Sequence, residues 1–137
     1  TSMGYTLAWE PGVMQFTGFQ GFNLAGLSTS NFNTTQADNL GVMSVDWSNA
    51  TGVSVPDGVS IFTACFQLLG DPNECSPVEF TDSPWPINIE TTLSNATNVG
   101  LNGQPGQVCI ENPFLFKLSA PDVYSGQFSN ICVDVTV

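Results

Sequence analysis

The apolar residues of this chain recur at every second position, and no useful window repeats at the three-to-four spacing of a helix. Met3, Tyr5, Leu7 and Trp9 alternate with Gly4, Thr6 and Ala8, and Met43, Val45 and Trp47 with Ser44 and Asp46. Phe62, Ala64, Phe66 and Leu68 repeat the habit around Thr63, Cys65 and Gln67. Shorter runs follow at Val78 and Phe80, Ile87 and Ile89, Val108 and Ile110, and Phe114, Phe116 and Leu118. Ile131, Val133, Val135 and Val137 then alternate with Cys132, Asp134 and Thr136. Successive side chains of a strand point to opposite faces, so each run predicts a strand with one buried face. Turn chemistry separates the runs at Glu10-Pro11-Gly12, Pro56-Asp57-Gly58, Gly70-Asp71-Pro72-Asn73, Asn102-Gly103, Pro105-Gly106 and Tyr124-Ser125-Gly126. The pattern predicts an all-β fold, an antiparallel β-sandwich or jelly roll of about nine strands. At 137 residues, with no linker and no internal repeat, residues 1–137 form one domain. The stretch from Gly18 to Leu40, rich in Phe, Asn and Gly, reads as a long loop or a pair of irregular strands.

Charge removes several functions. Lys117 is the one basic residue against twelve acidic ones, a net charge of −11, and the chain has neither Arg nor His. Nothing here can neutralise phosphates, so nucleic acid is not a partner, and anionic membranes repel the chain. Without His, the Ser-His and Cys-His nucleophile pairs and His-containing zinc sites cannot be built. No apolar run approaches the length that spans a bilayer, so no membrane insertion is expected, and no basic stretch followed by an apolar one marks a signal peptide. With 42% apolar and only 9% charged residues the chain is no disordered acidic tail. Its polar surface comes from neutral Asn, Ser and Thr, which points to an extracellular or cell-surface module.

The four cysteines, Cys65, Cys75, Cys109 and Cys132, form an even set compatible with two disulfides. A local Cys65–Cys75 bridge across the Gly70-Asp71-Pro72-Asn73 turn is reasonable, but three connectivities are open. Asn33, Asn49 and Asn95 each open an Asn-x-Thr sequon, a candidate glycosylation site.

Among carboxylates, Asp46 with Asp57, Glu79 or Asp82 offers pairs of the kind that cleave glycosides, yet none stands in a recognisable motif, and solubility explains them better. No enzyme is therefore expected. No metal site and no cofactor are expected either: calcium on Asp71, Glu74, Asp82 or Asp122 is the alternative, and the D-x-D-x-D-G spacing is missing. Trp85, between Pro84 and Pro86, is either a plug over one end of the core, the favoured reading, or an exposed contact for a glycan or a partner. Trp9 and Trp47 fall on the apolar faces of their strands and read as core.

Several segments, in order, resemble bacterial cohesin-like domains. Ser2-Met3-Gly4-Tyr5-Thr6-Leu7-Ala8-Trp9-Glu10-Pro11 is similar to that family's second strand, and Val13-Met14-Gln15-Phe16 to the strand after it. Gly21-Phe22-Asn23-Leu24 to Ser30-Asn31-Phe32-Asn33 resembles its NFNLPGL…NFN loop. The run Val53 to Phe66 resembles a strand entry of the form G-V-x-(L/V)-P-D-G, and Phe80-Thr81-Asp82-Ser83-Pro84-Trp85-Pro86-Ile87 the F-x-D-x-P-x-P-I step. The chain departs from the family at Trp85 and after Ile110. The order departs too, because Ser129 to Val137 resembles the family's first strand but stands last. In the family's strand order Cys109 and Cys132 lie on neighbouring strands.

The resemblance implies a non-catalytic β-sandwich in which residues 129–137 are a candidate donor strand. Ile131, Val133, Val135 and Val137 would fill an apolar slot in the same domain or in the next subunit. Filling a neighbour is head-to-tail strand addition and leads to a homopolymer, a surface filament or adhesin. Burying three or four aliphatic side chains in this way contributes roughly 5–10 kcal/mol before ordering costs. The alternative the family implies is a module that docks a dockerin-like partner or a polysaccharide.

Overall fold

A computed structural model of the protein describes residues 1–90, 102–111, 124–125 and 130–136. They build an all-β architecture of two sheets. The strands are β1 (Ser2–Trp9), β2 (Met14–Phe22), β3 (Phe32–Asn33), β4 (Val42–Ser48), β5 (Ser60–Leu68), β6 (Cys75–Thr81), β7 (Asn88–Glu90), β8 (Gly106–Ile110), β9 (Tyr124–Ser125) and β10 (Asn130–Thr136). Seven of these have five residues or more, against about nine strands expected. The expected strand at 114–118, like Asn95, Lys117, Asp122 and Val137, lies outside the described residues.

The larger sheet has the order β3-β4-β1-β6-β8-β9, with β7 also paired to β1; the smaller has the order β10-β5-β2. All pairs are antiparallel except β8 with β9. β1 is central because its alternation is the most regular in the chain, and its apolar face meets that of β4 in register, Met3 opposite Trp47, Tyr5 opposite Val45 and Leu7 opposite Met43. These residues and Phe62, Ala64, Phe66 and Leu68 of β5 belong to one buried core shared by the two sheets. A chain of rings closes one end of it: Phe19 lies 4.3 Å from Phe32 and 4.8 Å from Phe16, and Phe32 lies 4.9 Å from Phe62.

The stretch between Gly18 and Leu40 is part strand and part irregular. β2 runs on to Phe22, with register shifts at Phe16/Gly18 and Gln20/Phe22 that bend it around the core. A short 3-10 turn at Thr29–Asn31, β3 and the one-turn helix α1 (Ala37–Leu40) complete it. The helix ends on Gly41, at φ 62°, and the Gly41 carbonyl accepts the Trp9 amide at 2.7 Å. A side chain on Gly41 would strike the Trp9 carbonyl, so this left-handed turn requires glycine.

Both disulfides form, but the local Cys65–Cys75 bridge does not. Cys65 pairs with Cys132 and Cys75 with Cys109. Cys65 is the register partner of Cys132 on β10, and Cys75 that of Cys109 on β8. In an antiparallel ladder, directly opposed residues share a face at bonding distance, and this proximity outweighs closeness in sequence. Two such bridges persist in non-reducing surroundings. Among the described residues no helix is long and apolar enough to cross a membrane.

Candidate functional site: the outer face of the large sheet

The outer face of the large sheet is shaped by an interruption in its ladder. One edge of β1 pairs with β6 from Thr6 to Trp9 and with β7 from Ser2 to Gly4. The chain therefore leaves the sheet after Thr81 and rejoins it at Asn88. Pro84 and Pro86 fall between, and a proline has no N–H to give to a ladder, so the segment loops out as an arc.

The arc folds back over the sheet and is pinned by one side chain. The Thr6 hydroxyl accepts a hydrogen bond from the Trp85 amide at 3.1 Å, donates one to the Trp85 carbonyl at 3.0 Å, and lies 3.4 Å from the Ser44 hydroxyl. Thr6 is completely buried although it points away from the core, because the arc covers it. At the arc's far end the Asp82 carboxylate accepts the Ile87 amide at 3.0 Å. Trp85 is thus fixed through its backbone while its side chain stays 56% exposed. That corrects the plug reading. The core is already closed by its own rings, and the flanking prolines lift Trp85 onto the outside. Trp9 and Trp47 are core, as expected, at 5% and 3% exposure.

Beside Trp85 lies a groove of about 200 Å³. Its lining includes Trp85, Asn31 and Asn33 around β3, and Ser44 and Asp46 of β4. Their placement follows from the alternation of β4, which sends Met43, Val45 and Trp47 inward. The Asn31 side chain ties the wall together, donating to the Asp46 carbonyl at 2.9 Å and accepting the Ser28 amide at 2.9 Å. The Asn33 side-chain oxygen accepts from the Thr35 amide at 3.1 Å and the Thr35 hydroxyl at 2.8 Å. Among the described residues, neither the Asp46 carboxylate nor the Asn33 side-chain nitrogen has a hydrogen-bond partner.

The other residues singled out in the sequence are dispersed. Asn49 closes the same kind of turn as Asn33, accepting from Thr51 at 3.0 and 2.9 Å. Asp57 and Glu79 are exposed and lie outside the groove. Glu74 caps its own turn, accepting the Asp71 amide at 2.8 Å. No group of three metal-ligating side chains occurs among the described residues. In β10, Ile131, Val133 and Val135 stand opposite Phe66, Ala64 and Phe62.

Of the groove residues, Trp85 was visible in sequence as a proline-framed aromatic, and Asn33 and Asp46 were singled out for other reasons. Thr6 was not: a threonine on the polar face of a strand carries no sign that an arc 79 residues away will land on it. Thr6→Val keeps the shape but leaves the Trp85 amide and carbonyl without that hydroxyl. It is expected to cost about 1–3 kcal/mol in urea unfolding and to raise acrylamide quenching of Trp85 fluorescence. Unchanged quenching would show that the hydroxyl does not hold the arc.

No protein-family model, no curated protein and no solved structure matches the chain. The cohesin-like resemblance therefore rests on the sequence motifs alone.

Proposed function

We propose that the protein is an extracellular structural subunit or repeat module of a surface filament or adhesin, a β-sandwich of jelly-roll type that assembles head to tail by exchange of β10. The observation that carries this reading is the position of β10. Among the described residues it forms the edge of the smaller sheet and pairs through Asn130–Thr136 with β5 alone, and it is fastened there by one covalent bond, Cys65–Cys132. An edge strand detaches at the cost of one ladder, and the β5 edge it exposes has the same complement in every other copy. The same register made between two copies would bring Cys132 of one opposite Cys65 of the next, and oxidation would lock the joint. The Asn-, Ser- and Thr-rich surface and the two disulfides suit an extracellular location.

The test mixes two variants, Cys65→Ala and Cys132→Ala, neither of which can close this bridge within itself. Exchange between copies predicts an oxidised heterodimer on non-reducing gels that disappears on reduction. Deleting residues 129–137 should abolish assembly, and a peptide of that sequence should rebind the deleted chain. Separate monomers from the mixture, or an undiminished polymer after the deletion, would overturn the proposal.

A further inference from the structure

We infer that the groove between Trp85 and the β3–β4 wall is a binding site for a neutral pyranose unit of a glycan, stacked on the Trp85 indole. This does not depend on strand exchange, because β10 lies in the other sheet.

Three features define the ligand. The first is an exposed aromatic side chain carried on a pinned backbone. Trp85 keeps more than half its surface in water although its backbone is bonded twice to the buried Thr6. Its flat, electron-rich face suits the C–H face of a pyranose ring, whose hydrogens carry partial positive charge.

The second is the chemistry of the opposite wall. Asp46 supplies a carboxylate without a described partner and Asn33 a side-chain amide N–H donor, with the Ser44 hydroxyl between them. Adjacent acceptors and donors of this kind match the hydroxyls of a sugar, whereas a purely apolar ligand would leave them buried and unpaired.

The third is charge. No Lys or Arg occurs among the described residues, and the whole chain carries −11. Uronic, sialic and sulfated sugars, like phosphorylated ligands, would be repelled, which favours neutral over anionic glycans. The volume of about 200 Å³ admits a single ring, with neighbouring units running out along the open sheet.

The experiment titrates the full chain with cellohexaose, xylohexaose, mannohexaose and chitohexaose, read by calorimetry and by tryptophan fluorescence. Because Trp9 and Trp47 are buried, a change in quenching on binding reports on Trp85. At least one of these neutral glycans is expected to bind, and Trp85→Ala to weaken it at least about thirtyfold with unchanged circular dichroism. Asp46→Ala should weaken it about tenfold, as expected for loss of a charge-assisted hydrogen bond. Two results would overturn the inference: none of the four glycans binds, or the Trp85→Ala variant binds as well as the parent.

Discussion

A chain with Cys65 and Cys132 both replaced by alanine is expected to unfold with about 4 kcal/mol less stability than the oxidised parent. The bridge joins residues 67 apart, so in the unfolded chain it removes the freedom of a large loop. The second bridge, Cys75–Cys109, spans 34 residues and lies wholly inside that loop. It shortens the outer loop, but the entropy depends on the logarithm of loop length, so the expected loss falls by only a few tenths of a kcal/mol. Urea unfolding of the double variant, with the inner bridge confirmed by mass, measures the difference; in a thermal scan it amounts to a fall of roughly 10–15 °C. A loss under about 1 kcal/mol would mean that β10 contributes little to the fold once its covalent tie is gone.

Phe62→Ala is expected to cost about 3–5 kcal/mol, at the upper end for a single core truncation. Phe62 is completely buried at the middle of the smaller sheet, with Phe32 at 4.9 Å edge-on and Phe19 at 6.0 Å. Removing the ring leaves a hole lined by other rings on β2 and β3, which the two sheet frames prevent from collapsing. The comparison that makes the number informative is Trp85→Ala, also a loss of an aromatic side chain, expected to fall within about 0.5 kcal/mol because Trp85 is exposed. Equal losses for the two would contradict the division between a closed core and an outward-facing Trp85.

The strands were legible because alternation is a local signal: β1, β4 and β5 could be read from their own residues. The disulfide pairing was not, since it depends on which strands become neighbours. Cys65 looked closest to Cys75 along the chain, yet in the sheet it faces Cys132. Trp85 was half legible. Its two prolines announce an interruption of the ladder, but whether the interruption covers the core or the outer face is decided by Thr6, far away in sequence. The groove wall followed from the β4 alternation, which fixed the outward direction of Ser44 and Asp46 but not what would stand opposite them.

The cross-link between β5 and β10 also sets how the molecule bears load. Tension applied at residues 1 and 137 passes from Cys65 to Cys132 through the sulfur atoms, and the 67-residue span behind the link carries none of it. A fully drawn-out oxidised chain reaches about 250 Å, against about 480 Å once reduced, at roughly 3.5 Å per residue. The backbone between the two cysteines is mechanically sheltered: a pull strong enough to strip β1 to β4 from their sheets cannot stretch residues 66–131 until a covalent bond gives way, although it carries off Thr6, the anchor of the arc, together with β1.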